Sequence, residues 1–357
     1  MGNKAMELKQ NIKNNRIVRH TYYFLYELTH RKALKEKASK AIDDFQIPCK
    51  GSEERAALIS DMLRMCRYYG YTFDEYACFG FKGLGDKKRR TFVSDWEHLG
   101  YACAFNDAKN DDVFDDKWQT FSRFGKYYGR DVIFCDEKAG FDAFSEFVKK
   151  HSSYIIKPLN LSCGNGVRII SETPEDVEAF YEKLLEECLG SMVVEELIVQ
   201  IDEMAKFHPS SVNTIRIPTV RLDDQVLVVN PFMRIGQHGK NVDNAGAGGI
   251  ICPVNVESGE LFAAADEFGK SYTVHPESGE KIIGFTVPRW EEAKALVKEL
   301  ATVVPSNRYT GWDVALTEKG WVMVEANRRG QFVWQMATKI GFRDEVNSLL
   351  KKIHRKY

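Results

Sequence analysis

The chain has 357 residues, about twice the length of a typical single domain, so two or three packed units are expected. Its 44% hydrophobic and 28% charged residues exclude disorder as the overall state and supply enough apolar surface for sizeable cores. The 50 basic residues nearly cancel the 51 acidic ones, and the formal charge of -1 gives no overall positive field that would favour nucleic acid.

The first 40 residues differ in composition from the rest. They contain ten Lys or Arg against three acids, with apolar positions recurring loosely at helical spacing. This predicts a solvated helix packed on the body or, as the alternative, a basic amphipathic surface near anionic lipid. The initial residues are too polar for a secretory signal, and no apolar run approaches the roughly 20 residues that span a bilayer, so a cytoplasmic protein is expected.

Helical patterns dominate the first third of the chain. Candidate helices at 53–75 and roughly 90–100 precede the polar segment NDAKNDDVFDDK, which is typical of a domain boundary. Short β-rich runs follow it: DVIFC, YIIKPL, GVRII, MVVEELI, TIRIPTVRL, QVLVVNPFMRI, WDVAL and WVMVEAN. Further helices are expected at 141–150, 174–189, 289–303 and 342–355. The pattern predicts an α+β fold with mostly antiparallel sheets.

Segment 154–170, YIIKPLNLSCGNGVRII, has the pattern of a strand, a loop of small residues and a second strand. Lys157 lies inside the apolar strand, where a lysine is costly to bury unless it meets an anion. Backbone N–H groups of the loop could approach phosphate oxygens from Ser162, Cys163, Gly164, Asn165 and Gly166. Because Asn-Gly is also a strong turn former, an ordinary hairpin is the alternative. The sequence contains neither a Walker A loop nor a G-x-G-x-x-G motif after a strand.

Segment 192–202 continues with an apolar strand that ends at Glu195 and Glu196 and then returns to Leu197. Backbone groups in such a hinge could pair with the edge of an adenine, and the carboxylate of Asp202 could hold ribose hydroxyls. The alternative is a strand that leaves the core with exposed acids.

Segment 311–327, GWDVALTEKGWVMVEAN, predicts a hairpin whose three-residue loop is Glu318-Lys319-Gly320, with glycine at a left-handed position. Closing the loop between Thr317 and Trp321 places two pairs on an apolar face, Val314 with Val324 and Leu316 with Val322. The other face then pairs Asp313 with Glu325 and carries Asn327 two residues further on.

Two opposed carboxylates repel one another, so the polar face of this hairpin needs a compensating charge. A magnesium ion would supply it, because two carboxylates and an amide oxygen suit a hard divalent cation. The alternative is a solvated face that Arg328 or Arg329 neutralises.

These elements occur in an order that resembles the ATP-grasp superfamily. The order runs from a lysine near a helix start (Asp116-Lys117) through the strand–Lys–Pro–Gly loop and the Glu-Glu hinge to an Asn-Thr-x-Arg strand and Asp…Glu-x-Asn. The sequence is most similar to the branch associated with sugar transfer and polysaccharide assembly, through SVNTIRIPTV, PFMRIG, VDNAGAGGI and GWDVAL…VEANRRGQF. The resemblance spans about residues 75–345.

The resemblance implies two α+β lobes that clamp ATP between mostly antiparallel sheets. The lobe with the glycine-rich phosphate loop would be 111–200, and the lobe with the magnesium site would be 201–357. The usual preceding α/β domain is not evident, and residues 1–110 are expected to form a largely helical region instead.

The resemblance also implies roles for individual residues. Lys117 and Lys157 would contact the nucleotide phosphates, with Lys157 also near the adenine, and the loop Ser162–Gly166 would cover the phosphates. Adenine would meet Glu195, Glu196 and Leu197, ribose would meet Asp202, and two Mg²⁺ ions would be held by Asp313, Glu325 and Asn327. Segment 242–250 and the phosphate loop are expected to be mobile covers.

Two arginines are candidates for catalysis. Arg234 would stabilise charge on the transferring phosphoryl group or on a tetrahedral intermediate, and Arg216 would do the same or hold an acceptor carboxylate. For either arginine, a structural ion pair is the alternative.

The activity that the resemblance implies is an ADP-forming, ATP-dependent carboxylate–amine ligase that works through an acyl phosphate. Its substrates would be a sugar acid or amino acid and an amine, in polysaccharide or glycoconjugate biosynthesis. One alternative is a small-molecule kinase on the same ATP site. Another is a non-catalytic nucleotide-binding scaffold that docks on a glycan-assembly complex through its basic N-terminus. No motif encodes either substrate or the oligomeric state.

Overall fold

The computed structural model describes residues 16–107, 111–159, 166–330 and 332–355. Four phosphate-loop residues singled out above, Ser162, Cys163, Gly164 and Asn165, lie outside the described residues, as does the start of the basic N-terminal segment. Gly166, at the end of that loop, is described and has a left-handed backbone with φ of 71°.

Between residues 16 and 107 the structure describes five helices: α1 (Arg16–Asp44, kinked at His30), α2 (Gly51–Tyr69), α3 (Phe73–Cys78), α4 (Asp86–Arg89) and α5 (Asp95–Phe105). Thr72 and Glu75 form a capping box at the start of α3, and Ser94 and Glu97 form another at α5. Gly70 ends α2 in a left-handed conformation, so the helix predicted at 53–75 is divided into α2 and α3. The predicted helical N-terminal region is therefore confirmed.

The first sheet follows two short helices, α6 (Asp111–Asp115) and α7 (Lys117–Phe124). Its strands are β1 (Val132–Asp136), β2 (Tyr154–Pro158), β3 (Arg168–Ile170) and β4 (Ser191–Glu196), in the order β1-β4-β2-β3. Helices α8 (Phe141–Lys150) and α9 (Val177–Glu187) cover one face, where Tyr154 and Ile156 are buried. Strand alternation turns Ile155 and Lys157 to the opposite face.

The second sheet follows the short helix α10 (Asp202–Ala205) and has six strands: β5 (Ile215–Arg221), β6 (Val226–Val228), β7 (Phe232–Ile235), β8 (Ile250–Pro253), β9 (Tyr309–Thr317) and β10 (Gly320–Asn327). The order is β10-β9-β5-β7-β8, with β6 paired to β5, and α11 (Trp290–Val303) packs against it. All strand pairs of the described residues are antiparallel, as predicted. The run QVLVVNPFMRI forms two strands because Asn230 has a left-handed backbone between them, and β8 is not anticipated by the sequence analysis.

The β9–β10 hairpin confirms one predicted pairing and corrects the others. Asp313 faces Glu325 as expected. The predicted apolar pairs are wrong, because Gly320 pairs with Thr317 and the loop is only two residues long; the observed pairs are Leu316 with Trp321, Ala315 with Val322 and Val314 with Met323. A bulge between Met323 and Glu325 inserts one residue into β10 and restores the register at Glu325.

The N-terminal helices pack directly against the second sheet. Aromatic residues of 71–92 share a core with Phe232 of β7 and Ile251 of β8. Two C-terminal helices, α12 (Trp334–Thr338) and α13 (Arg343–Lys352), complete the arrangement, and α13 contacts α5. Within the described ranges, no helix is both long and apolar enough to cross a bilayer.

Gln335 links the N-terminal and C-terminal helices. Its side chain is only 1% exposed, and its Oε1 accepts hydrogen bonds from the backbone N–H groups of Val93 (2.9 Å) and Phe342 (3.2 Å). Its Nε2 donates to the carbonyl oxygen of Val93 (3.1 Å). The segment just before α5 and the two C-terminal helices therefore share one buried polar network.

A buried ion-pair cluster joins the two sheets. The carboxylate of Glu195, in β4, accepts hydrogen bonds from Arg130 Nη2 (2.6 Å) and lies 2.9 Å from Lys157 Nζ. The same guanidinium donates through Nη1 to the carbonyl oxygen of Met323 in β10, at the bulge (2.7 Å). Burial alone would raise the pKa of Glu195, but Lys157 and Arg130 outweigh burial and hold it at about 2.

Replacing the buried glutamine should destabilise the whole chain. In Gln335→Ala, two buried N–H groups lose their acceptor, so we expect the free energy of unfolding to fall by about 3 kcal/mol in urea denaturation. Gln119→Ala, at an exposed position in α7, is the control and should change it by less than about 0.5 kcal/mol. A loss in Gln335→Ala no larger than in the control would contradict the structural role.

Glu195 should make stability depend on acid pH. Its folded-state pKa lies below the ordinary value of 4.5, so its contribution is complete above that pH and is lost as the pH falls through about 2. The contribution amounts to about 3 kcal/mol. Between about pH 6 and pH 3, unfolding free energies should therefore fall less steeply in Glu195→Gln than in the wild type.

The matched control is Glu257→Gln, because Glu257 is exposed. Its unfolding free energy should follow the wild-type pH profile. If Glu195→Gln followed that profile too, the buried ion-pair cluster would not be the source of the acid sensitivity.

Candidate functional site

A cavity of about 570 Å³, here called the first cavity, lies between the two sheets. The first sheet and its hinge contribute Ile155, Lys157, Glu195, Glu196 and Leu197, and the second sheet contributes Arg234, Asp313 and Glu325. Lys117, at the N-terminus of α7, lies in the wall between them. Strand alternation brings the main charged groups together, because Lys157 and Glu195 in the first sheet and Arg234, Asp313 and Glu325 in the second point away from the helix-covered face of their sheet.

Asp313 lies at the centre of a charged row across the second sheet. It is paired in register with Glu325 on one side and with Arg216 on the other. Its Oδ1 accepts from Arg216 Nε (2.6 Å), and its Oδ2 accepts from Arg216 Nη2 (2.7 Å) and Arg234 Nη2 (2.9 Å). Burial alone would raise the pKa of Asp313, but the two arginines hold it below its ordinary value.

Arg216 and Arg234, rather than the Arg328 or Arg329 of the alternative interpretation, hold Asp313. Arg328 and Arg329 lie beyond the end of β10, and Arg328 pairs with Asp115 instead (2.9 Å). Arg216 and Arg234 compensate Asp313 because β5 and β7 place them on the same face of the sheet. Arg216 and Arg234 therefore form the ion pairs that the sequence analysis gives as the alternative to a catalytic role.

Arg234 is held by a second set of contacts. Its guanidinium donates to Thr214 Oγ1 (2.6 and 3.0 Å) and to Asn244 Oδ1 (3.2 Å), and its Nε lies 3.4 Å from Asp243 Oδ2. Burial would lower the pKa of Arg234, but Asp243, Asp313 and Glu325 raise it. The group is a fixed positive charge in the cavity wall.

The oxygen donors of the row fit a divalent cation. The carboxylate of Glu325 is exposed to the cavity and, among the described residues, accepts no hydrogen bond. Asn327 Nδ2 lies 3.5 Å from Asp313 Oδ2, and Glu325 is paired in register with Asp313, so the three residues are neighbours on one face of the hairpin. Asp313 Oδ1 accepts a single bond and keeps a lone pair. Oxygen donors of this kind are those that Mg²⁺ takes, with Glu325 the most available of the three.

The two predicted phosphate-contacting lysines both reach the first cavity. Lys117 Nζ donates to the carbonyl oxygens of Pro158 (2.9 Å) and Leu159 (3.3 Å), where the phosphate loop begins. Burial lowers the pKa of Lys117, and the carboxylate of Glu325 partly opposes this. Lys157 meets the anion that a buried strand lysine requires, and that anion is Glu195.

The first cavity is lined by the three residues predicted to meet adenine, Glu195, Glu196 and Leu197. Glu195 is buried rather than exposed, and Glu196 Oε2 accepts from the backbone N–H of Asp131 (3.1 Å). Leu197 lines the cavity beside them. Asp202 is exposed at the start of α10 and is not among the described residues that line the cavity.

The glycine-dense segment 242–250 covers part of the first cavity. Val242, Asp243 and Asn244 line the cavity, and residues Ala245–Ala247 form a short 3-10 helix. Asp243 accepts from both the N–H and the hydroxyl of Thr214, which fixes this end of the segment. Its movement as a cover stays a prediction.

A second cavity of about 970 Å³ opens on the other side of the same wall. Lys117 and Glu325 line both cavities. Much of the remaining lining comes from α3, α5 and the residues after β10, including Asp74, Glu75, Asp95, His98, Arg328 and Arg329. The helical N-terminal region therefore supplies one side of a cavity that meets the first at the predicted metal ligands.

Sequence reasoning misses several residues of this site. Arg130 belongs to no motif, and only its position directly before an apolar strand hints at a role. Asp243 and Asn244 lie in a segment interpreted as a flexible cover, although adjacent polar residues among glycines are a usable signal of a bound partner. His98 gives no signal, since it is an isolated histidine in a helix.

The chain is similar to several solved ATP-grasp structures. The ligase PsnB in complex with its minimal precursor is 14% identical, with a TM-score of 0.43 over 70% of this chain and 63% of that one. D-alanine–D-alanine ligase from Helicobacter pylori is 13% identical, with a TM-score of 0.43 over 67% and 61%. The chain thus spans less than two thirds of the length of either structure, and TM-scores this low carry no argument about activity.

Sequence comparison gives the assignment. No curated protein matches the chain. Residues 98–352 match the family described as sugar-transfer associated ATP-grasp, which is well over half of the sequence. The match begins in α5 and includes both sheets and the Asp313–Glu325 pair, whereas the wall of the second cavity at residues 74–96 precedes it. The chain therefore has the ATP-grasp fold and belongs to the sugar-transfer associated ATP-grasp family.

Proposed function

We propose that the protein is an ADP-forming, ATP-dependent carboxylate–amine ligase. The observation that carries the proposal is the shared wall of the two cavities, where Lys117 and Glu325 face both. A nucleotide in the first cavity and an acid in the second would meet at this wall. The family description supports a sugar acid or amino acid in polysaccharide or glycoconjugate biosynthesis as the substrate class.

The nucleotide contacts follow from the first cavity. Lys117 and Lys157 would neutralise phosphate oxygens, and the small residues Ser162–Gly166 would cover them. The backbone of Glu196 and Leu197 would meet the adenine edge, and Asp202 would meet the ribose at the rim of the cavity. Buried Glu195 keeps Lys157 in place through their ion pair.

Asp313, Glu325 and Asn327 would hold magnesium, with two ions proposed. The family assignment supports ATP as the nucleotide, and two carboxylates with an amide oxygen are ligands that suit Mg²⁺. When bound, magnesium neutralises charge on the phosphate oxygens. Arg216 orients Asp313 through two hydrogen bonds, and Arg234, fixed beside it, would stabilise negative charge on the transferring phosphoryl group.

The reaction would proceed in two steps. A carboxylate oxygen of the acid attacks the γ-phosphorus, the bond from the γ-phosphorus to the bridging oxygen breaks, and ADP leaves. The amine nitrogen then attacks the acyl carbon, and orthophosphate leaves as the amide forms and the nitrogen loses a proton. Neither step needs a nucleophilic serine or cysteine, since ATP activates the acid.

Hydroxylamine trapping tests the proposal. With ATP, Mg²⁺ and a panel of sugar acids and amino acids, the protein should form a hydroxamate, ADP and orthophosphate. AMP in place of ADP would contradict the acyl-phosphate route. Formation of ADP and a phosphorylated acceptor without orthophosphate would instead establish a kinase.

Removing one negative charge at the shared wall should abolish this activity without unfolding the protein. Glu325 makes no hydrogen bond to another described residue, so Glu325→Gln should keep the wild-type melting temperature and lose at least about 100-fold in hydroxamate formation. The control is Glu318→Gln in the exposed turn of the same hairpin, which should keep full activity. Wild-type activity in Glu325→Gln would refute its assignment as a metal ligand.

A further inference from the structure

The second cavity presents opposite charges on facing walls. One wall is formed by the starts of α3 and α5 and carries the carboxylates of Asp74 and Asp95, and the other follows β10 and carries Arg328 and Arg329. Arg328 is already engaged by Asp115. Within the described part of the chain, Arg329 forms no ion pair. The guanidinium of Arg329 and the carboxylates of the other wall therefore line the same cavity without forming an ion pair in the described residues.

Asp95 is held in position although its side chain is 94% exposed. Its backbone N–H donates to Glu75 Oε1 (2.6 Å), which joins the starts of α3 and α5. The capping box at Ser94 fixes the first turn of α5. No lysine or arginine among the described residues forms an ion pair with Asp95, so its backbone is fixed and its carboxylate is left open to the cavity.

His98 supplies a second, independent observation. It is one turn after Asp95, lines the same cavity and is 9% exposed. Its Nδ1 lies 3.9 Å from Asp95 Oδ1, and its Nε2 is buried with no hydrogen-bond partner in the described ranges. Such a group is costly unless something else satisfies it. A ligand with a hydrogen-bonding group at this end of the cavity would do so.

The electrostatics agree with the geometry. His98 lowers the pKa of Asp95 most, and the positive charge of Arg329 lowers it further. The positive charge of Arg329 therefore acts on the carboxylate of Asp95, although the two side chains form no ion pair. This separation of fixed opposite charges complements a molecule that carries both a cation and an anion.

We propose that the second cavity binds a zwitterionic acid, with its carboxylate at Arg329 and its protonated amine at Asp95 and His98. The inference rests on the proposed function and names the class of acid that is activated. Arg329 follows Asn327 by two residues and lines the same cavity as Glu325 and Asn327, so the carboxylate would bind at the end of the cavity that carries the proposed metal ligands. Aromatic walls at Phe79, Trp96 and Phe332 suit the carbon frame of an amino-sugar acid as well as that of an amino acid.

Matched acids with and without a free amine test the inference. Alanine, serine and glucosaminuronic acid are each compared with their N-acetyl derivatives in the hydroxylamine assay. Removing the positive charge should raise KM by at least about tenfold for the acid that is activated. Equal KM values for an acid and its N-acetyl form would overturn the inference.

Two variants locate the charges. Asp95→Asn should raise KM for the free-amine acid about tenfold, leave kcat within about twofold, and leave the N-acetyl acid unaffected. Arg329→Gln should raise KM for both forms. The control is Asp344→Asn, an exposed aspartate in the first turn of α13 that matches Asp95 in its place on a helix. Equal effects of Asp95→Asn on both acid forms would contradict the amine contact.

Binding without turnover separates this inference from the proposed function. Calorimetry with the same acids, Mg²⁺ and a non-hydrolysable ATP analogue should show millimolar or tighter binding of free-amine acids that Asp95→Asn weakens. Absence of such binding overturns the inference even if other acids are activated. If the zwitterion binds but is phosphorylated on a hydroxyl, the cavity assignment holds and the ligase proposal fails.

Discussion

A negative charge buried in a sheet has to be compensated, and the ion pairs of Asp313 satisfy this requirement. The carboxylate is 1% exposed and is held by Arg216 and Arg234 from neighbouring strands. An unpaired carboxylate at this depth would cost several kcal/mol or would become protonated. The arginines keep it ionised and fix its direction. Glu325 adds a second negative charge beside Asp313, and a cation is the natural complement of the two carboxylates.

The same requirement operates at the junction of the sheets. Glu195 is buried between Arg130 and Lys157, and Arg130 also reaches the backbone of the second sheet. Gly129 lies so close to β10 that a Cβ atom there would be 2.5 Å from Val322 Cγ1, so a side chain would disturb this approach. Two charged clusters, one in each wall, thus set the shape and the charge of the first cavity.

How much the sequence reveals depends on whether the signal is local. The helix expected at 141–150 has the same bounds as α8, because its apolar spacing and flanking glycine are local features. The facing of Asp313 and Glu325 is also predictable from one hairpin, although the bulge compensates a loop that is one residue shorter than expected. Strand β8 escapes prediction because four apolar residues after a glycine-rich loop show no clear period.

Long-range neighbours are beyond a single sequence. Arg216 and Asp313 are 97 residues apart and meet only because β5 lies next to β9, an order that no local pattern encodes. Arg130 and Glu195 meet for the same reason, as β1 lies next to β4. The second cavity depends on how the N-terminal helices pack on the sheet, so Asp95, His98 and Arg329 could not be grouped in advance.

The most direct test of the central claim is a crystal structure with a non-hydrolysable ATP analogue and Mg²⁺. The account predicts the triphosphate in the first cavity, with oxygens of Glu325 and Asn327 and Oδ1 of Asp313 about 2.0–2.1 Å from metal. The two arginines should still hold Asp313. Nucleotide bound elsewhere, or a metal ion that none of these three residues contacts, would contradict it.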